Sequence, residues 1–92
     1  MTCKIFLNEH TSECFEHCEE WQRMFLRAEE VYFNDLLIVR GYVYLNQIFE
    51  ALGVKWDPNV ENPCCIYNED EDTRIKFKVR EVENGFNLTV TW

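Results

Sequence analysis

The stretch SECFEHCEEWQRMFLRAEEVYFNDLLIVR, residues 12 to 40, decides how the chain is read. Apolar residues recur at Cys14, Cys18, Trp21, Phe25, Ala28, Tyr32, Leu36 and Val39, with steps of mostly four and three. That period is one stripe of an amphipathic helix, here running from about residue 12 to residue 40. Phe15, Met24, Val31 and Leu37 widen the stripe. Thr11 or Ser12 can cap the start, and Glu13 and Glu16 in the first turn complement the helix dipole. Arg40 suits the last turn and Gly41 offers a left-handed stop. Such a length is unusual in a small domain, so Phe33-Asn34-Asp35 is where a kink would fall. The same stripe could also pair two copies of the chain as a coiled coil.

Beyond Gly41 the pattern shortens. Tyr42-Val43-Tyr44 is a short β-prone run, and Asn46 can cap a helix of Gln47 to Leu52. Gly53 followed by Val54 has the form of a Schellman ending. Residues 55 to 63 hold both prolines and form a loop. Downstream the period changes from 3.6 to 2. Cys64 to Tyr67 is a short strand, residues 68 to 72 an acidic turn, and Arg74 to Val82 with Phe86 to Trp92 a hairpin around Asn84-Gly85. A two-residue turn there pairs Val79 with Val90 and Phe77 with Trp92, which puts the large apolar residues on one face. Lys76, Lys78, Arg80, Thr89 and Thr91 take the other, and Glu81 is left at the rim.

A chain of 92 residues is one domain, and 47% hydrophobic residues are enough for a core without disulfides or metal. The expected class is therefore α+β. A long N-terminal amphipathic helix and a short second helix pack on a C-terminal three-stranded antiparallel meander. Cys3 to Leu7 can add a further strand. No apolar run is long enough to cross a membrane, and MTCKIFLNEH lacks the features of a signal peptide. Five cysteines, an odd number that includes the adjacent Cys64-Cys65, suit reduced thiols in a cytoplasm. A net charge of −8 argues against binding nucleic acid or an anionic membrane.

The segments Ala28-Glu29-Glu30, Asn34-Asp35-Leu36-Leu37 and Arg40-Gly41-Tyr42-Val43-Tyr44-Leu45-Asn46, leading to Leu52-Gly53, resemble a family of small uncharacterised proteins. Its members are encoded in phages, prophages and Firmicutes genomes. The likeness covers about 25 residues. The chain lacks the Gly-Trp-Val and Asp-Phe-Gly segments of longer members. The resemblance implies a mobile-element or bacterial cytoplasmic setting and carries no established activity.

Chemistry-bearing motifs are few. His10, Cys14, His17 and Cys18 fall at helical spacings that could converge on one ion, and Cys64-Cys65 could complete a site. However, Cys14 and Cys18 also lie on the apolar stripe, which makes them core thiols, and no metal is expected. Cys18 or Cys65 with His10 or His17 is the one conceivable nucleophile–base pair, but all three glycines are committed to helix ends and a turn, so no oxyanion cradle remains. NEDEDTRIKFKV, from residue 68, has Thr at the sixth position and Val at the twelfth, where a calcium loop needs Gly and Glu. No catalytic residue and no cofactor are expected. The expected role is a small acidic cytoplasmic interaction or structural module with an unidentified protein partner. It would be a monomer, or a homodimer through the long helix, with Tyr32, Tyr42 and Tyr44 as its interaction surface. An acidic mimic of nucleic acid that blocks a host protein is the alternative.

Overall fold

The computed structural model describes residues 1–15 and 17–92. In chain order the elements are β1 (Thr2–Leu7), α1 (Glu19–Arg40), β2 (Tyr42–Tyr44), α2 (Leu45–Ala51), β3 (Cys64–Ile66), β4 (Lys76–Val82) and β5 (Gly85–Thr91). The class is α+β: a long helix and a short one accompany a three-stranded antiparallel sheet. The third strand of that sheet differs from expectation. Its order is β1-β5-β4, so the N-terminal Thr2–Leu7, not residues 64 to 67, completes it. β5 carries Phe86, Leu88 and Val90, all buried, and so takes the central position with a partner on each side. The chain ends meet there as well, because the Met1 ammonium donates to the Trp92 carbonyl and the Trp92 N–H donates to the Met1 carbonyl.

The sheet's two faces follow the period of two. Ile5, Leu88 and Val79 form one inward row, and Cys3, Val90 and Phe77 the next. Outward rows read Thr2–Thr91–Lys76, Lys4–Thr89–Lys78 and Phe6–Asn87–Arg80. The hairpin register is two residues from the expected one: Val79 faces Leu88 and Phe77 faces Val90. A slip of two keeps every side chain on its face, so the inward and outward sets are those the pattern implied. Glu81, now opposite Phe86, is still exposed.

The slip has a steric cause. Gly85 lies in β5 itself, where a Cβ would collide with the Leu7 carbonyl and press on the Phe6 ring. Asn84 takes the positive φ of the turn instead, at 72°. Gly85 is thus glycine so that β1 can close on β5, and the turn is built from Glu83-Asn84.

The largest correction concerns where α1 begins. Residues 8 to 14 are not helical. Asn8 Oδ1 accepts the His10 and Thr11 N–H groups at 2.8 and 2.9 Å, and the Thr11 hydroxyl donates back to the Phe6 carbonyl at 2.7 Å. Ser12 is buried, forms an isolated bridge with Val54 and donates its hydroxyl to the Leu52 carbonyl. The Glu13 N–H donates to the Gly53 carbonyl at 2.9 Å. Short polar side chains here hydrogen-bond to backbone in turn geometry, in competition with the helix. Neither Thr11 nor Ser12 is therefore a cap. Cys18 holds the N-cap position without a side-chain cap bond, and Glu19 and Glu20, not Glu13, occupy the first turn. Glu16 lies outside the described residues. From Glu19 the helix is unbroken through Phe33-Asn34-Asp35, and Gly41, at φ 91°, ends it by donating to the Leu37 carbonyl.

Which face α1 buries is also different. Gln22, Leu26, Phe33 and Leu37 are its buried residues. The expected stripe lies roughly one residue away, about 100° around the helix. The reason lies in the two elements the helix covers. α1 packs against both β2 and β4, and its Leu26, Phe33 and Leu37 join Val43, Leu45, Ile48, Leu52, Ile75, Leu88 and Val90 in one core cluster. Glu30 and Asn34, one turn apart on the flank, then meet β4. Glu30 Oε2 accepts the Phe77 N–H at 2.6 Å. Asn34 accepts the Ile75 N–H and donates to the Ile75 carbonyl, both at 2.8 Å. Backbone groups at the exposed edge of β4 are thereby satisfied by the helix.

β2 and β3 form a separate two-stranded antiparallel ribbon, with Val43 opposite Cys65, both buried. α2 starts two residues earlier than expected, at Leu45, with Tyr44 and not Asn46 at the N-cap. The Tyr44 N–H is accepted by Gln47 Oε1 at 2.9 Å, and the Asn46 N–H by Asn62 Oδ1. Its end has the expected Schellman form: Val54 donates to the Phe49 carbonyl and Gly53 to that of Glu50.

Candidate interaction surface

Because α1 buries a seam one residue from the expected one, part of the expected stripe faces outward, while its Phe25 and Leu36 stay partly buried against the core. Trp21 is 62% exposed, Met24 60%, Val31 55% and Ile38 61%, against 1% for Leu26 and 0% for Leu37. Trp21, Met24, Ala28, Val31, Asp35 and Ile38 follow one another in steps of three and four, and all are exposed. Met24, Val31 and Ile38 lie about 150° around the helix from the buried seam. Tyr32 and Val39 extend the patch on one side. A helix that is apolar on both faces is buried or partnered on both. Scattered exposed hydrophobes are ordinary, whereas a contiguous row along a whole helix marks a docking face.

Charge divides the other flank of this row. Toward the helix N-terminus, Arg23 and Arg27 line a groove with Met24, Glu30 and Phe77. Arg23 bonds Glu19 one turn back at 2.9 Å and holds the Glu19 carboxyl below its usual pKa. Toward the C-terminus the same flank meets the acidic turn: Asp35 and Ile38 share a groove with Tyr67, Glu71 and Asp72. Arg74 approaches Asp72 only to 3.9 Å. The face therefore runs from an end bearing Arg27 and the Glu19-bound Arg23, through an apolar middle, to an end where Asp35, Glu71 and Asp72 outnumber Arg74.

The three tyrosines fall into two places. Tyr32 stands on the outward side of α1, its ring edge-on to Phe33 at 5.1 Å. Tyr42 and Tyr44 project together from β2, edge to face at 5.8 Å, with the Arg40 guanidinium 4.4 Å from the centre of the Tyr42 ring. Arg40 also donates to Gln47 Oε1, tying this pair to the start of α2. Ile66, opposite Tyr42 across the ribbon, is exposed too. Sequence reasoning missed Trp21, Met24, Val31, Ile38 and Val39 as surface residues. The signal was present in the doubled stripe, since Leu26, Phe33 and Leu37 make a second apolar row that competes for the core.

Of the residues weighed for metal or catalysis, His10 and His17 are brought to one carboxylate. Glu9 stands between the two histidines, 3.5 Å from His10 Nε2 and 3.4 Å from His17 Nε2, on the open surface. Cys14 lies against Gly53 instead. Cys14 and Cys18 are exposed, which corrects their assignment as core thiols: the described residues just before Glu19 are not helical, so the stripe that was to bury them stops at the helix start. All five cysteines are free, and burial pushes the Cys3 and Cys65 thiols up in pKa. Among the described residues no three His, Cys, Asp or Glu side chains are placed to hold a metal ion. Nor, among the described residues, is any helix long and apolar enough to cross a membrane.

Comparison with known proteins brings no match to a family model, a curated protein or a solved structure. The outward face of α1 thus carries the functional reading.

Proposed function

We propose that this chain is a small protein–protein interaction or structural module, working in the cytoplasm in a phage or mobile-element setting and catalysing no reaction. The observation that supports this is the exposed apolar row Trp21, Met24, Val31 and Ile38 on a helix whose opposite side already fills the core. Burying such a row against a partner gains about 25 cal/mol per Å2 of apolar surface, which drives most protein association. The three tyrosines would contribute in two ways, Tyr32 at the margin of that row and Tyr42 with Tyr44 as a second contact. The alternative, an acidic mimic of nucleic acid, calls for carboxylates spread continuously over a surface. Against it, the outer face of the main sheet carries Lys4, Lys76, Lys78 and Arg80 in rows without a carboxylate.

The test places a photo-crosslinking amino acid at Val31 and, separately, at Lys78, in cells that make the protein. Adducts at position 31 that are missing at position 78 are expected. Equal adducts at both positions, or none at 31, would refute the reading.

A further inference from the structure

We infer that the partner of the α1 face is a second copy of this chain, docked antiparallel across a two-fold axis; this rests on the interaction reading above. The charge pattern of the face selects that occupant. α1 runs from Glu19 to Arg40, so its midpoint falls between Glu29 and Glu30. An antiparallel pair centred there sets Trp21 opposite Ile38, Ala28 opposite Val31 and Met24 opposite Asp35. The same flank of both helices then meets. Arg27 and Arg23 of one copy come beside Asp35, Glu71 and Asp72 of the other, and the two-fold repeats the arrangement at the far end. A parallel pair would instead place Asp35 against Asp35 and the two acidic turns at the same level, where like charges repel.

Sterics permit the approach. The seam points about 150° from the buried one, so the bulk of the domain lies behind the helix, with β4 and the acidic turn flanking the row on one side. Twenty-two residues make a helix about 33 Å long, and a strip about 12 Å wide along it covers roughly 400 Å2 per copy. Some 800 Å2 in total, rising toward about 1,000 Å2 as Arg27 reaches the acidic turn, is at the small end of specific interfaces. The dimer is therefore reversible and concentration-dependent, not obligate.

Sedimentation equilibrium under reducing conditions, over roughly 5–500 µM, suits an interface of this size. The wild-type mass is expected to rise toward twice that of the monomer, and Val31→Glu to stay monomeric with an unchanged circular dichroism spectrum. Arg27→Glu and Asp35→Arg should each weaken association, and the double variant should recover it relative to Arg27→Glu alone. A wild-type protein monomeric throughout would overturn the inference, as would a dimer indifferent to Val31→Glu or a double variant no better than its parents. A monomer whose position 31 still crosslinks to a different protein in cells refutes the second copy while leaving the interaction reading intact. A monomer with no adduct there refutes both.

Discussion

Leu37 and Ile38 are neighbours in sequence and opposites in environment. Leu37 is wholly enclosed in the core cluster, which also holds Phe33, Val43, Ile48 and Leu52, while Ile38 stands in the open beside the acidic turn. Their side chains contain the same number of carbons, so hydropathy does not distinguish them. What distinguishes them is which side of α1 can reach two other elements at once. The inner side contacts both the β2–α2 unit and the main sheet. The outer side meets the domain only along one margin, at β4 near Met24 and at the acidic turn near Ile38, and most of its apolar row stays exposed and available for a partner.

The sharpest way to break this contrast is truncation at both sites. Leu37→Ala should cost about 2–5 kcal/mol in urea unfolding, from lost burial and the cavity left behind. Ile38→Ala, measured on dilute protein where α1 is unpaired, should stay within about 0.5 kcal/mol. Equal costs would mean that the outer row already belongs to the monomer's core.

Between the two faces lies Asn34, and it sharpens the comparison by asking what fixes the rotation of the helix. Asn34→Ala removes both bonds to Ile75 and leaves a backbone N–H at the edge of β4 without its acceptor. A loss of about 1–3 kcal/mol is expected. Asn34→Asp keeps the acceptor for the Ile75 N–H but loses the donor to the carbonyl, so it should fall between wild type and Asn34→Ala. Faster amide exchange at Ile75 and Phe77 in Asn34→Ala, with β5 amides unchanged, would locate the damage at the seam. Uniform loss of protection would instead mean that Asn34 supports the whole fold.

How far the sequence reveals this molecule depends on the range of the interactions that decide each part. Signals that act within a few residues were legible. The period change near residue 64, the glycine stops at Gly41 and Gly53, and the inward set of the hairpin all match. Decisions taken between distant segments were not. Ser12 leaves the helical pattern because its partners, Leu52 and Val54, lie some forty residues away. β1 takes the place in the sheet that residues 64 to 67 were expected to fill, because β2 claims β3 and because Gly85 lets Leu7 approach. Gln22 shows the same limit inside the helix: a buried polar residue on the true seam is invisible to a count of apolar residues. The candidate surface was partly legible. Trp21, Met24, Val31 and Val39 were singled out, but as a core stripe, and Ile38 was not singled out at all, because α1 carries two apolar rows and periodicity alone cannot rank them. Tyr32 was assigned to the surface and stands beside that row.

Glu29 tests the margin between the faces, with the smallest effect. It sits half-buried beside the inner seam, and burial pushes its carboxyl pKa up. Raised pKa means that the fold disfavours the ionised form. At neutral pH the charged Glu29 therefore subtracts from stability, and the penalty fades as pH falls through the folded-state pKa and the group is protonated in both states. Glu29→Gln should accordingly unfold at slightly higher urea than wild type near pH 7, and the two proteins should converge below about pH 4, the ordinary carboxylate range. The gain is small because a half-exposed group is screened by water. A difference that persisted unchanged at low pH would show that glutamine acts through packing or helix propensity and not by removing a desolvated charge.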